Sequence, residues 1–371
     1  MRLKIALLHV WFLVLSFLAP WFERIRSVDW YSWGGGWMRP LLNEYGFANF
    51  RTQYRAQTVV DFVSGARRKI ELDRGNLYRR VLLHVTGEMA VSGGATNGAL
   101  TDEGVLNLLP EIALVGDGRV YLKRAPAKIL TQKGRVWTGV DPFQSDPAVG
   151  VGTNAFSFDV PLWFENVFSR PYDTMLDSAK YSRLELQLLW GTVGDLIQGG
   201  DRAEVLQNVQ AAVMSFESIV SPFKKYGTHL DHVIDREVTA STDRFLIELP
   251  TGNIIPFLTL LSTDQDANGK DVAQDDIINY VTIRGRSGVV YMDRVPWLHL
   301  KGENQVESGI RPDTGYAYIN PTEDGLLSTA FVTNPDDDLI LELDVTKGTN
   351  ETRVRVGVTE IIPALIMAGV R

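Results

Sequence analysis

The sequence contains no cysteine. Disulfide frameworks, thiol catalysis and thiolate zinc sites are thereby excluded. Histidine is scarce: His9, His84, His229, His232 and His299 are all there is. No GxSxG, HExxH or phosphate-loop sequence occurs, so no local signature of hydrolase, metalloprotease or nucleotide chemistry is present. An excess of positive charge is lacking too. The formal net charge is −8, and an acidic body is ill suited to wrapping nucleic acid, where affinity rests on neutralised phosphates. The basic clusters are short, Arg67, Arg68 and Lys69, then Arg79 and Arg80. They read as solvated strand edges or subunit contacts.

Long apolar runs are missing with one exception. Residues 5–22, "IALLHVWFLVLSFLAPWF", carry His9 and Ser16 as their only polar side chains. As a helix this run is roughly 27 Å long at about 1.5 Å per residue, marginally enough for a hydrocarbon core of about 30 Å. Trp11, Trp21 and the flanking Arg2, Lys4, Arg24 and Arg26 suit interfacial anchoring. Residues 1–37 therefore read as a hydrophobic leader with three open explanations: a membrane anchor, a signal peptide, or a misassigned start upstream of Met38.

What is there is a packed globular composition, 45% hydrophobic and 22% charged over 371 residues. From about Arg67 onward, short strand-like runs alternate with Gly, Pro, Asn and Asp. In "RLELQLLW", Leu184, Leu186 and Leu188 share one face; in "TRVRVGV", Val354, Val356 and Val358 do the same. Period-two alternation marks strands with one face on a core. One segment dissents: Val205, Val209, Ala212, Val213 and Phe216 recur at helical spacing.

The chain also repeats itself. "IELDRGNLYRRVLLHVT" from Ile70 aligns without a gap on "IELPTGNIIPFLTLLST" from Ile247, an offset of 247 − 70 = 177. "TMLDSAKYSRLELQLLW" from Thr174 aligns on "TAFVTNPDDDLILELDV" from Thr329, an offset of 329 − 174 = 155. Each copy holds a strand, a tight turn at Gly-Asn where positive φ is tolerated, a more apolar strand, and later an alternating Leu strand. A duplicated β-unit follows, roughly residues 66–220 and 227–363. Units of this length bury a core of their own and fit an eight-stranded jelly roll.

The most suggestive site is "STDQDANGKDVAQDD", residues 262–276. Asp264, Asp266, Asn268 and Asp275 occupy positions 1, 3, 5 and 12 of an EF-hand loop, with Gly269 at position 6. The flanks read as strands, however, and Asp275 is shorter than the usual closing Glu, so a polar strand–loop–strand tip is the stronger reading and the four residues a weak cation candidate. His229 and His232 fall on opposite faces of an expected strand. Glu71 and Asp73 share a strand face, which suits glycosidase chemistry but reads more simply as solvated. Trp163, Trp190 and Trp297 lie in apolar strand-like runs and read as core or interface. No catalytic residue and no cofactor is assigned.

"IELDRGNLYRRVLLHVTGEMAV…LLPEIALVGDGRVYLK" and "RPYDTMLDSAKYSRLELQLLWG" resemble the first domain of double jelly-roll major capsid proteins of membrane-containing bacteriophages, the tectivirus–adenovirus lineage. "YMDRVPWLHLKGEN" and "GYAYINPTEDGLLSTAFVTNPDDDLILELDV" resemble the second. The resemblance runs from about Phe62 to Ile362. It implies an all-β chain of two tandem eight-stranded jelly rolls with a possible N-terminal hydrophobic helix: a leader over residues 1–37, an arm over 38–65, a first jelly roll over 66–222, and a second with a C-terminal tail over 223–371. It also implies that residues 205–220 form the last strand of the first barrel. The implied role is a capsid subunit forming pseudo-hexagonal homotrimers in an icosahedral shell over an internal membrane. Its partners are then itself, other virion structural proteins and, through the N-terminus, lipid, without direct nucleic-acid contact. It would be made in the host cytoplasm and reside in the virion. The alternative is a membrane-anchored or secreted carbohydrate-binding β-sandwich, motivated by the leader and the nine Trp.

Overall fold

A computed structural model describes residues 52–165, 174–218, 227–322, 329–333 and 338–363. The hydrophobic leader and most of the N-terminal arm lie outside these residues. Among the described residues no helix is long and apolar enough to cross a membrane.

The first barrel is built from β1 (Thr52–Asp61), β2 (Arg67–Glu71), β3 (Leu77–Ser92), β4 (Glu111–Gly116), β5 (Val120–Ala125), β6 (Gly152–Trp163), β7 (Leu184–Leu189) and β8 (Ala203–Ser218). The second contains β9 (Gly227–Val238), β10 (Thr242–Glu248), β11 (Ile254–Gln265), β12 (Ile278–Gly285), β13 (Val290–Pro296), β14 (Tyr316–Ile319), β15 (Leu339–Val345) and β16 (Thr352–Pro363). Two helices of twelve residues occupy matching places, α1 (Ala127–Thr138) after β5 and α2 (Trp297–Ser308) after β13.

The pairing order repeats strand for strand. In the first barrel one sheet runs β1-β8-β3-β6 and the other β2-β7-β4-β5; in the second the orders are β9-β16-β11-β14 and β10-β15-β12-β13. The chain is therefore all-β, two tandem jelly rolls of the same topology. Each barrel encloses its own apolar core. Val81, Leu83, Ile112, Leu114, Phe158 and Leu186 belong to the first, and Leu258, Leu260, Val281, Ile283, Leu341 and Val356 to the second, all fully buried.

The repeated local chemistry follows from the repeated sequence. Gly75 and Gly252 hold φ of 114° and 80° at the two Gly-Asn turns, a region open to Gly without steric cost. The next residue ties the turn to the last strand of its barrel. Asn76 donates its amide to Glu217 at 2.5 Å, and Asn253 donates to Glu360. Glu217 and Glu360 occupy matching positions in β8 and β16, because Val213 faces Leu83 as Val356 faces Leu260.

One segment left open by its spacing forms the strand the resemblance implied, and two others differ from the sequence expectation. Residues 203–218 form one long strand, despite the helical spacing of their apolar residues. Asn208 sits at φ 53°, where the register with β3 slips between Gln207 and Gln210. This bulge resets the alternation, so that Val205 faces solvent while Val209, Ala211 and Val213 face the core. Trp297 opens a helix instead of lying in a strand, since Pro296 at its N-cap sets φ to −61° and cannot donate to a strand ladder. Residues 52–61, within the expected N-terminal arm, form a strand paired with β8.

Candidate functional site

The two barrels meet in a continuous sheet. β5, at the edge of the first barrel, pairs in parallel with β9, at the edge of the second, placing Lys123 beside Asp231 and Arg124 beside His232. The result is one ten-stranded sheet shared by both barrels. Helix α1 lies along the seam and is buried at ten of its twelve residues. Its Ile129, Val136 and Trp137 join Phe257, Leu261, Tyr316 and Tyr318 of the second barrel in a third apolar cluster. Close approach here depends on Gly357 in β16, where an added Cβ would stand 2.7 Å from the Ile129 Cγ2.

At the centre of the seam sits a buried charge triad. Asp231 accepts from Lys123 at 2.6 Å, from Lys133 at 2.5 Å, and from the Thr359 hydroxyl at 2.7 Å. Burial alone would raise the Asp231 carboxyl, but the two ammonium groups outweigh it and hold it well below the usual carboxylate range. Burial lowers both lysines, pushing Lys133 down to about 7 in spite of its carboxylate partner. One carboxylate cannot balance two buried cations, so the triad favours losing a proton from a lysine. Both ammonium groups also face rings, Lys123 over Phe164 at 4.8 Å and Lys133 over Trp137 at 4.1 Å. His229 stacks on Trp137 with ring centroids 5.3 Å apart, and burial keeps it well below the ordinary histidine range.

Further polar contacts bridge the barrels. Tyr318 donates its hydroxyl to Gln132 at 2.9 Å, Gln132 donates to Asp313 at 2.5 Å, and Arg135 pairs with the same Asp313 at 2.6 Å. A cleft of about 1160 Å³ opens beside the seam. Its arginines are already neutralised: Arg124 by Glu111, Arg353 by Glu351 and Arg355 by Asp271. The arrangement is thus a structural joint, with Asp231 of the second barrel paired to Lys123 and Lys133 of the first.

The residues singled out in the sequence are dispersed. Gln265 pairs with Asp271 across a hairpin tip, so residues 262–276 form a strand–loop–strand element. Asp264 is buried and accepts from the Thr349 amide at 2.9 Å and the Thr352 hydroxyl at 2.8 Å. Asp266 accepts from the amides of Asn268 and Lys270 within the turn. Asp275 faces Lys301 at 2.6 Å and the Trp297 indole at 3.0 Å. The four oxygen-bearing residues therefore point to separate partners. Among the described residues no three His, Asp or Glu side chains are grouped to hold a metal ion. His232 faces Glu360 at 3.0 Å, on the strand face opposite His229. Asp73 pairs with Arg55 at 3.0 Å while Glu71 lies 3.9 Å from Arg183. Trp163, Trp190 and Trp297 are all buried, which removes them as exposed sugar platforms. Arg67 pairs with Glu111 at 2.7 Å at the edge formed by β2.

Sequence reasoning missed α1, Lys123, Lys133 and Asp231. A third collinear repeat carries the signal: "VYLKRAP" from Val120 and "VYMDRVP" from Val290, offset 290 − 120 = 170. Each ends in the proline that caps its helix, and each helix stops at a glycine of positive φ, Gly139 and Gly309.

No protein-family model matches the chain, and no curated protein matches it. Solved structures do. The chain is similar to the STIV major capsid protein, with TM-score 0.68 at 15% identity over 86% of this chain and 99% of that one. It is similar to the major capsid protein of bacteriophage PM2, with TM-score 0.55 at 11% identity over 84% and 97%. The Faustovirus major capsid protein gives TM-score 0.55 at 9% identity over 84% and 90%. These neighbours are double jelly-roll proteins, and at such identities the likeness is one of fold, which this chain shares.

Proposed function

We propose that the chain is a major capsid protein whose homotrimers, pseudo-hexagonal in outline, tile an icosahedral shell. The observation that carries this reading is the seam: two barrels of identical topology are fused edge to edge in one sheet, with a helix and a buried charge triad locking the joint. Two matched barrels per chain give six per trimer, the number needed for a hexagonal tile. The likeness in fold to three viral major capsid proteins supports the same reading. The role is structural and not catalytic, its location the virion after synthesis in the host cytoplasm. Its partners are other copies of itself and further virion proteins. A lipid contact belongs to residues 1–37, whose apolar run suits an internal membrane, and the acidic body suits a shell without direct nucleic-acid contact.

The test is the solution mass of the full chain by light scattering, with negative-stain imaging of the particles. Trimers of hexagonal outline are expected. A monodisperse monomer that binds a polysaccharide would overturn the reading in favour of a carbohydrate-binding sandwich.

A further inference from the structure

Helix α1 begins at the cleft beside the seam, where Ala125, Pro126 and Lys128 form part of the lining. The first turn is uncapped. Pro126 at the N-cap brings no side-chain hydrogen bond, and no acid lies in the first turn. The Ala127 amide donates to the Leu109 carbonyl at 3.0 Å, while the amides of Lys128 and Ile129 have no acceptor among the described residues. Unsatisfied amides at a helix N-terminus, with the helix dipole behind them, favour an anion.

A second observation, independent of the backbone, points the same way. The Lys128 side chain lines the cleft although the residue is only 9% exposed. Among the described residues its ammonium makes no hydrogen bond and no ion pair. Burial and the Arg355 guanidinium both lower this lysine, and Glu103, Asp271 and Asp102, farther off than an ion pair, recover only part of the shift. The other cations of the lining are paired. Besides the arginines already described, Lys270 faces Asp195 at 3.3 Å, and Asp235 is shared by Arg353 and Arg355. Lys128 is thus the lining cation that no ion pair neutralises, and a buried ammonium without a counter-ion is costly.

The duplication supplies a control. At the offset of 170, Pro126 matches Pro296 and Lys128 matches Leu298, which is 64% exposed. The shared fold therefore needs no lysine at this place. The hairpin tip within residues 262–276 forms one wall of the cleft through Gly269, Lys270 and Asp271. It is tied to the first barrel by the Ala273 amide, which donates to Asp102 at 2.6 Å.

We propose that this cleft binds one small tetrahedral oxyanion, of the phosphate or sulfate class, on the Lys128 ammonium and the first-turn amides of α1. The cleft volume of about 1160 Å³ leaves room for the ion and its remaining water. The bound charge opposes both effects that disfavour the ammonium, burial and the nearby guanidinium. Because the lysine belongs to the first barrel and the facing wall to the second, the ion stabilises the folded seam by mass action.

The test is titration of the full chain with inorganic phosphate by calorimetry, with thermal unfolding in phosphate and in sodium chloride of equal ionic strength. Saturation at one phosphate per chain is expected, with a melting temperature that rises in phosphate but not in chloride. Lys128→Met is expected to bind phosphate about tenfold more weakly or worse, as the loss of one charged hydrogen bond implies. Lys128→Arg, which keeps the cation, should retain binding. Equal phosphate shifts in wild type and Lys128→Met overturn the site, as do equal shifts in phosphate and chloride. Should Lys128→Met fail to fold, the wild-type titration still decides, because heat that never saturates overturns the proposal. None of these outcomes depends on the oligomeric state, so the capsid reading stands or falls separately.

Discussion

Lys133 of the first barrel and Asp231 of the second lie 2.5 Å apart with both side chains almost wholly removed from water. The ion pair ties the two barrels where, among the described residues, their backbones share a ladder. Breaking a buried pair from the acid side strands two ammonium groups. Asp231→Asn is expected to cost about 3–5 kcal/mol, read as a lower midpoint of urea unfolding. A midpoint unchanged from wild type would show that the triad does not hold the seam.

The same triad sets a pH dependence. Lys133 titrates at about 7 in the folded chain against an ordinary value of 10.5. Between those values the unfolded chain binds more protons, so stability rises with pH across that window. Below it both states are protonated and the slope vanishes. Wild type is expected to gain stability relative to Lys133→Met between pH 7 and 9.5, by an amount on the order of a few kcal/mol. Parallel stability curves for the two proteins would contradict the assignment.

Helix α1 packs closely over Gly357 of the second barrel. A methyl there meets Ile129 at 2.7 Å and the Thr259 Cβ at 3.3 Å. Gly357→Ala is expected to cost about 1–3 kcal/mol through overpacking. Ile129→Ala removes that Cγ2, so Gly357→Ala should cost less in the Ile129→Ala background than in wild type, and the coupling is measured by a double-mutant cycle. Additive effects would mean that the helix is not seated as described.

The duplicated Asn–Glu contacts offer an internal control. Asn76→Ala and Asn253→Ala each leave a buried carboxylate, Glu217 or Glu360, short of a donor. Each is expected to cost about 1–3 kcal/mol, and the two losses should add, because the sites share no partner. Thermal unfolding of the single and double variants decides the matter.

Calcium titration of the full chain by calorimetry is expected to give no saturable heat that depends on Asp264. Asp264→Ala should instead lower the melting temperature, since it releases the Thr349 amide and the Thr352 hydroxyl. Saturable calcium heat that disappears in this variant would restore the cation site.

Much of the fold was legible because burial writes itself into residue order. Leu339, Leu341 and Leu343 alternate with Ile340, Glu342 and Asp344, and the former are buried while the latter are half-buried. The Gly-Asn turns were legible because few other residues take their conformation. Residues 203–218 were ambiguous because one bulge at Asn208 shifts the alternation and imitates a helical period. Helix α1 went unread because it is short and because Lys128, Gln132 and Lys133, polar side chains that local pattern assigns to solvent, are buried in it.

The sequence by itself determined that a β-unit occurs twice, where its turns fall and which faces are apolar, since each of these is a property of neighbours along the chain. Only the tertiary structure decided that β5 meets β9 and that Lys123 finds Asp231 across 108 positions. Strand order and buried ion pairs depend on which surfaces are brought together, and nothing in local periodicity names the partner.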